Sequence, residues 1–311
     1  GGAHKRDGDP VMTLKLLQVD TFTTRPLGGN PAAVVSLEKW LPVPVMQAIA
    51  NENNLSETAF FAPRGAAAEP GAEDAEAGGL SGEAAWELRW FTPNSEVALC
   101  GHATLAAGYV VLEGLAGLAG STGDQSSEAA TFATQSGTLT VARGPGGLFV
   151  MDFPSQPAAP CVSPPADLIA GLGAGGCAAP DTVVAGADYI AVYKTPEEVA
   201  ALAPDLTALM RIDRRGVVAT APGTGLAPSA AGDPIDYVLR FFAPKNAVPE
   251  DPVTGNVQTA VVPYWAARLG QSRLAARQLS ARGGEMVCED QGARVTIAGH
   301  AALFMDATIE V

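Results

Sequence analysis

"LRWFTPNSEVALCGHATLAA", residues 88–107, and "LRFFAPKNAVPEDPVTGNVQTA", residues 239–260, are two versions of one unit. Leu88, Arg89, Phe91 and Pro93 align with Leu239, Arg240, Phe242 and Pro244 at a constant offset of 151. In each copy a strand-like stretch reaches a proline, then a loop, then a glycine, then an apolar helix, read as residues 103–112 and 258–269. The second loop is three residues longer. One such unit per half of the chain implies two similar domains whose loops face each other across a cleft. Each helix then aims its N-terminus at that cleft. Unpaired N–H groups and a partial positive charge there suit a carboxylate or phosphate.

Working outward, two weaker echoes set "LLQVDTF" opposite "LFVMDFP" and "SETAFFA" opposite "DYIAVYK". Residues 14–22 alternate as a first strand, and "RPLGGNPAAVV" follows as a turn and an apolar run. Residues 44–53 read as a short amphipathic helix with Val45, Met46 and Ile49 on one face. "NLSETAFFA" reads as a strand whose start carries Glu57. Residues 64–85 and 117–130 are small, acidic and Gly-rich, and are expected as surface loops.

The 311 residues are 47% hydrophobic, enough for a large core near the size at which one core divides. A net charge of −14 and the lack of a basic stripe argue against nucleic acid as partner. No apolar run is long enough to span a membrane. "GGAHKRDGDPV" lacks the apolar centre of a signal peptide, so a soluble, cytoplasmic protein is expected, with patterned sequence beginning near Met12. Four scattered cysteines (Cys100, Cys161, Cys177, Cys288) and three histidines (His4, His102, His300) fit neither a disulfide framework nor a zinc site. No metal is expected.

Taken in order, "VDTFTTRPLGGNPAAVV", "NLSETAFF", "RWFTPNSEVALCGHATLAA", "EDPVTGN", "PYWAARLG" and "RQLSARGGE" resemble the phenazine-biosynthesis PhzF-like isomerase family, from Leu14 to the C-terminus. The resemblance implies an α+β, diaminopimelate epimerase-like fold. Two pseudo-symmetric domains, 12–147 and 148–311, would each wrap a mostly antiparallel sheet around a central helix, with the active site between them. It implies proton transfer on a small carboxylate-bearing substrate without a cofactor. Glu57 matches the general acid/base. His102 and Asp251 would hold the substrate and assist the proton. Gly101 and Gly255 would bring backbone N–H groups to the substrate carboxylate, and Asn30 would line the cleft floor. Asn256-Val257 stands where family members often carry Ser-Ala, which bears on substrate identity more than on mechanism. A homodimer is an expectation of the resemblance alone.

Each of these residues has a plainer reading. Glu57 is otherwise a solvated strand-end charge, His102 a cap-region histidine and Asp251 a turn aspartate. The catalytic reading requires Glu57 to be part-buried, beside His102 and Asp251, with a pKa raised by desolvation. Cys100-Gly101 resembles one half of the two-thiol site of diaminopimelate epimerases and proline racemases. The mirror position, however, is Thr254, whose hydroxyl is a poor base unaided. Cys100 is therefore read first as a small buried residue at a tight helix start. Two alternatives remain: a racemase using Cys100, and a carboxylate-binding module without turnover. Cys161, Cys177 and Cys288 are read as core or loop residues, and Tyr264 and Trp265 as core.

Overall fold

The computed structural model describes residues 12–69, 84–118, 127–246 and 248–311. The N-terminal half runs β1 (Thr13–Thr21), β2 (Asn30–Ser36), α1 (Val43–Asn53), β3 (Thr58–Pro63), β4 (Trp86–Phe91), β5 (Glu96–Val97), α2 (Gly101–Leu112), β6 (Ala129–Thr134) and β7 (Gly137–Arg143). The C-terminal half runs β8 (Phe149–Pro154), β9 (Ala159–Pro160), α3 (Ala166–Leu172), β10 (Thr182–Ala185), β11 (Tyr189–Val192), α4 (Pro196–Ala200), α5 (Leu206–Leu209), β12 (Val217–Pro222) and β13 (Tyr237–Ala243). It continues with β14 (Val248–Asp251), α6 (Gln258–Leu269), β15 (Arg273–Gln278), β16 (Gly284–Asp290), β17 (Arg294–Gly299) and β18 (Ala301–Glu310). Most of the two loops expected at 64–85 and 117–130 lies outside the described residues; Ala129 and Ala130 belong to β6.

Strand pairing shows the duplication directly. In the first half β1/β2 is antiparallel, β2/β3 parallel across α1, β3/β4 antiparallel and β4/β6 parallel across α2. In the second half β10/β11, β11/β12, β12/β13 and β13/β15 repeat that pattern. The two weaker sequence echoes do not follow this equivalence. β1 corresponds to β10 rather than β8, and β3 to β12 rather than β11. Short strands alternating the same apolar types look alike in sequence whichever partner they pair with, so similarity alone mispaired them. The long unit at 88–107 and 239–260 is matched because its proline, loop and glycine carry position-specific geometry.

Each central helix is wrapped by its sheet. In α2 nine of twelve residues are buried, so it is apolar all round. Gly108 lies so close to β7 that a Cβ there would meet Val141 at 2.4 Å. In α6, Trp265 is fully buried, donates to Thr220 Oγ1 at 3.0 Å and stacks on Tyr237; Tyr264 is half-buried beside it. The main core includes residues of both helices and of strands from both halves, which pair into one continuous sheet. The halves are also laced together: β18 pairs with β1, and β8 pairs with both β7 and β17.

The repeated arginine has the same task twice. Arg89 forks onto Glu96, with both N···O distances 2.8 Å, and Arg240 onto Glu250 at 2.7 and 2.9 Å. Each pair ties the loop that follows its strand to that strand, and so sets where the central helix begins. Planar guanidinium–carboxylate forks fix orientation as well as distance.

Candidate active site

Four segments meet between the two central helices. Glu57 immediately precedes β3, and its carbonyl accepts from Ala33 N of β2 at 3.2 Å. Cys100 caps α2, and His102 is its second residue. Asp251 ends β14 of the opposite half. His102 Nε2 lies 3.3 Å from Glu57 Oε2, and His102 Nδ1 lies 3.5 Å from Cys100 Sγ. Glu57 Oε2, His102 Nε2 and Asn30 Oδ1 are buried without a well-aligned hydrogen-bond partner among the described residues. Unpaired buried polar atoms are rare, and several together mark a place built for something other than packing.

Each carboxylate oxygen of Asp251 accepts a hydrogen bond from a neighbouring side chain. Asn30 Nδ2 donates to its Oδ1 at 2.9 Å and to Val253 O at 2.8 Å, joining the two halves. Thr254 Oγ1 donates to Asp251 Oδ2 at 2.5 Å. Gln278, fully buried, accepts from Thr254 N at 2.8 Å and donates to the Asp251 carbonyl at 2.7 Å.

Burial dominates the electrostatics. It raises the Glu57 carboxyl to about 7, with a hydrogen bond to Cys100 acting in the opposite direction. The Glu57 side chain nevertheless keeps 19% exposure, so a molecule in the cleft can reach it. Burial lowers the His102 pKa from its ordinary value and so favours the neutral imidazole, although Asp251 favours the charged form. Burial also raises Asp251, opposed by the neighbouring imidazole and the bonds from Thr254 and Asn30. The Cys100 thiol is pushed well up by burial and then by the charges of Glu57 and Asp251. A thiolate is therefore disfavoured.

The loop between β1 and β2 closes one side of this cluster. Asp20, fully buried, accepts from Leu27 N at 2.8 Å and from Arg282 Nη2 of the other half at 2.8 Å. Arg282 also donates to the carbonyls of Gly28 and Gly29, each at 2.8 Å. Gly29 has φ +61°, and a Cβ there would meet the Thr21 carbonyl at 1.9 Å, so glycine is required. Phe22, itself at φ +62°, is buried at the base of the loop and packs against Gly255, Gly284 and Gly299.

The structure thus brings Glu57, Cys100, His102, Asp251, Asn30 and Thr254 together. Gly101 is the first residue of α2, two residues earlier than expected. Gly255 is not the first residue of its helix: α6 begins at Gln258, whose N–H binds the Gly255 carbonyl at 3.0 Å. The three extra residues of the second loop lie before Gly255. Asn256 points elsewhere. Its Oδ1 accepts from Arg215 Nη2 at 3.4 Å, and it lines a cavity of about 390 Å3 with Leu99, Ser136, Gln156, Asp188 and Arg215. Glu57, His102 and Asp251 do not line that cavity. Sequence reasoning assigned no role to Asp20, Gln278 or Arg282, although all three lie in the motifs "VDTF" and "RQLSARGGE". Arg215 and Asp188 had no sequence signal.

The ligand atoms of Glu57, Cys100 and His102 lie within 4.8 Å of one another. The two ring nitrogens of His102 face different partners, however, one the thiol and one the carboxyl. One ion can use only one of them, so the arrangement suits passing a proton along the row better than closing around a metal. Cys288 is buried and Cys161 and Cys177 are partly so; all three are free thiols.

Comparison with known proteins agrees with this architecture. An uncharacterized isomerase of Pseudomonas aeruginosa is 41% identical over 300 residues, covering 96% of this chain and all of the relative. A crystal structure of a PhzF-family phenazine biosynthesis protein from Enterococcus faecalis superposes with a TM-score of 0.79 at 38% identity, covering 96% of this chain and 99% of that one. A hydroxyproline epimerase from Agrobacterium vitis shares the fold alone, at 11% identity and a TM-score of 0.52 over 96% of this chain and 93% of its own. The model of the phenazine biosynthesis-like proteins matches residues 19–307, which includes both copies of the repeat and every residue of the cluster, and the chain belongs to that family.

Proposed function

We propose that the chain is an isomerase that moves a proton on a small carboxylate-bearing molecule, without a cofactor, with Glu57 as general acid/base. The carrying observation is a part-buried carboxyl with a pKa of about 7, 3.3 Å from His102 Nε2 at the start of α2. A group poised near neutrality can both take a proton and return it. Its neutral imidazole neighbour accepts or donates through Nε2 as the proton shifts. The N–H groups opening α2, starting at Gly101, bind the substrate carboxylate. A Cβ built at Gly101 would meet nothing within 4 Å, so there is room beside the helix start. Asp251, fixed by Asn30 and Thr254, faces the cluster from the second half and orients the substrate.

The racemase alternative is less well supported. It needs two thiolates or their equivalents, but Cys100 is pushed up by burial and the Thr254 hydroxyl is committed to Asp251. The test is isotope exchange. Small unsaturated carboxylic acids are incubated with the protein in deuterated water and deuterium on carbon is read by NMR or mass spectrometry. Wild type should exchange. Glu57→Gln should lose 10²–10⁴-fold, roughly the worth of a general acid/base, while Cys100→Ala should lose far less. The reverse ranking supports the racemase, and binding without any exchange supports a non-catalytic module.

A further inference from the structure

The internal twofold relates not only strands but sites. With Phe91 equivalent to Phe242, the registers Thr58↔Phe91 and Val217↔Phe242 make Glu57 equivalent to Gly216. A matching bond supports this: Ala33 N to Glu57 O at 3.2 Å corresponds to Tyr189 N to Gly216 O at 3.0 Å. Along the loops, Cys100, Gly101 and His102 correspond to Thr254, Gly255 and Asn256. Ser136 Oγ donates to Ala98 O at 2.8 Å, just as Ser280 Oγ donates to Pro252 O at 2.6 Å. The cavity of about 390 Å3 beside Asn256, Arg215 and Ser136 is therefore the mirror image of the Glu57 cluster. On the Glu57 side the β1–β2 loop, pinned by Arg282, covers the place. On the mirror side the connection from β10 to β11 is only residues 186–188, and the place is open.

We propose that this cavity is the distal half of the substrate site, and that Arg215, held by Asp188 and Asn256, selects substrates carrying a second hydrogen-bond acceptor, a carboxylate or a carbonyl. This rests on the cleft being the substrate site. Arg215 donates to Asp188 through Nε at 3.0 Å and through Nη2, and through Nη2 to Asn256 Oδ1. Its guanidinium also lies over the Phe241 ring. Asp188 is 7% exposed and Arg215 35%, so the carboxylate is a buried prop and the guanidinium is reachable. These bonds leave Nη1 of Arg215 and Nδ2 of Asn256 without protein acceptors among the described residues. Both residues line the cavity, and both atoms are donors with no acceptor capacity. The rest of the lining is mainly apolar, including Leu99, Phe153 and Ile190. The cavity is at the small end of the roughly 300–1,000 Å3 typical of ligand sites, which fits a short apolar body with an acceptor at its far end. Asn256 in place of a smaller residue thus reads as a specificity feature: its amide reaches Arg215.

The probes are straight-chain dicarboxylic acids of four to seven carbons and the monocarboxylic acids of equal length, with calorimetry as readout and the keto-acids as the carbonyl arm. Wild type should bind a diacid or keto-acid about tenfold or more tightly than the matched monoacid, the worth of one charge-assisted hydrogen bond. Asn256→Ala should reduce that ratio. The double variant Asp188→Asn, Arg215→Leu, which leaves no buried charge unpaired, should bring it near one with an unchanged melting temperature. Glu57→Gln should keep the ratio. A ratio near one in wild type, an unchanged ratio in the double variant, or no binding by any acid overturns the proposal. Proton exchange that depends on Glu57 would stand regardless, so the two readings fail separately.

Discussion

At the scale of single residues, Glu57 couples site chemistry to stability. Its carboxyl rises from an ordinary 4.5 to about 7 in the folded protein. The folded state therefore binds more protons than the unfolded chain between those values, and stability falls as pH rises through them. The contribution of this one group is up to roughly 3 kcal/mol, fully present below about pH 4.5 and gone above about pH 7. Glu57→Gln removes that titration. The variant should therefore gain on wild type as pH rises from 5 to 8, seen as a growing difference in melting temperature. A pH-independent difference would mean that Glu57 titrates normally. Asp251 shifts in the same direction, and because the Glu57 charge contributes to that shift, Glu57→Gln also relieves part of it, which adds to the gain at higher pH.

At the scale of elements, the repeated forks and the β1–β2 loop act as clamps. Arg89–Glu96 and Arg240–Glu250 set the two helix starts, and Arg282 with Asp20 fastens a loop of one half to a turn of the other. Asp20 is fully buried, so removing Arg282 leaves a charge without its counter-ion. Arg282→Leu is expected to cost about 3–5 kcal/mol in denaturant unfolding. Adding Asp20→Asn should restore part of that loss, since the orphaned charge goes with it. Equal loss in single and double variants would show that the contact is packing rather than charge. Gly29→Ala should be more damaging than an ordinary Gly→Ala change, because the new methyl would overlap the Thr21 carbonyl.

For the whole molecule, two similar halves do not make two independent ones. The main core draws on both central helices, β1 finds β18 at the far end of the chain, and β8 bridges β7 and β17. A fragment of residues 12–147 would lose β18, one of the two partners of β1, and expose that edge of the sheet. It should show no cooperative thermal transition by circular dichroism, whereas the full chain should melt in one. A folded, cooperatively melting fragment would contradict the lacing seen here.

The sequence by itself determined the duplication and, to within two residues, where the two central helices begin. Prolines and glycines there impose local geometry that few other residues satisfy; Glu57, His102 and Asp251 stood out only through the resemblance of their motifs to a known family, and Cys100 through its place at a helix start. It mispaired the short strands, because alternating apolar residues fit many partners equally well. It was silent on Arg215, Asp188 and Gln278, which stand far from their partners in the chain. Arg215 reaches Asp188 and Asn256 across separations of 27 and 41 residues. The raised carboxyl of Glu57 was likewise an expectation until the fold was in hand. A pKa shift of that kind comes from loss of water around the group, and only tertiary packing decides which surfaces water leaves.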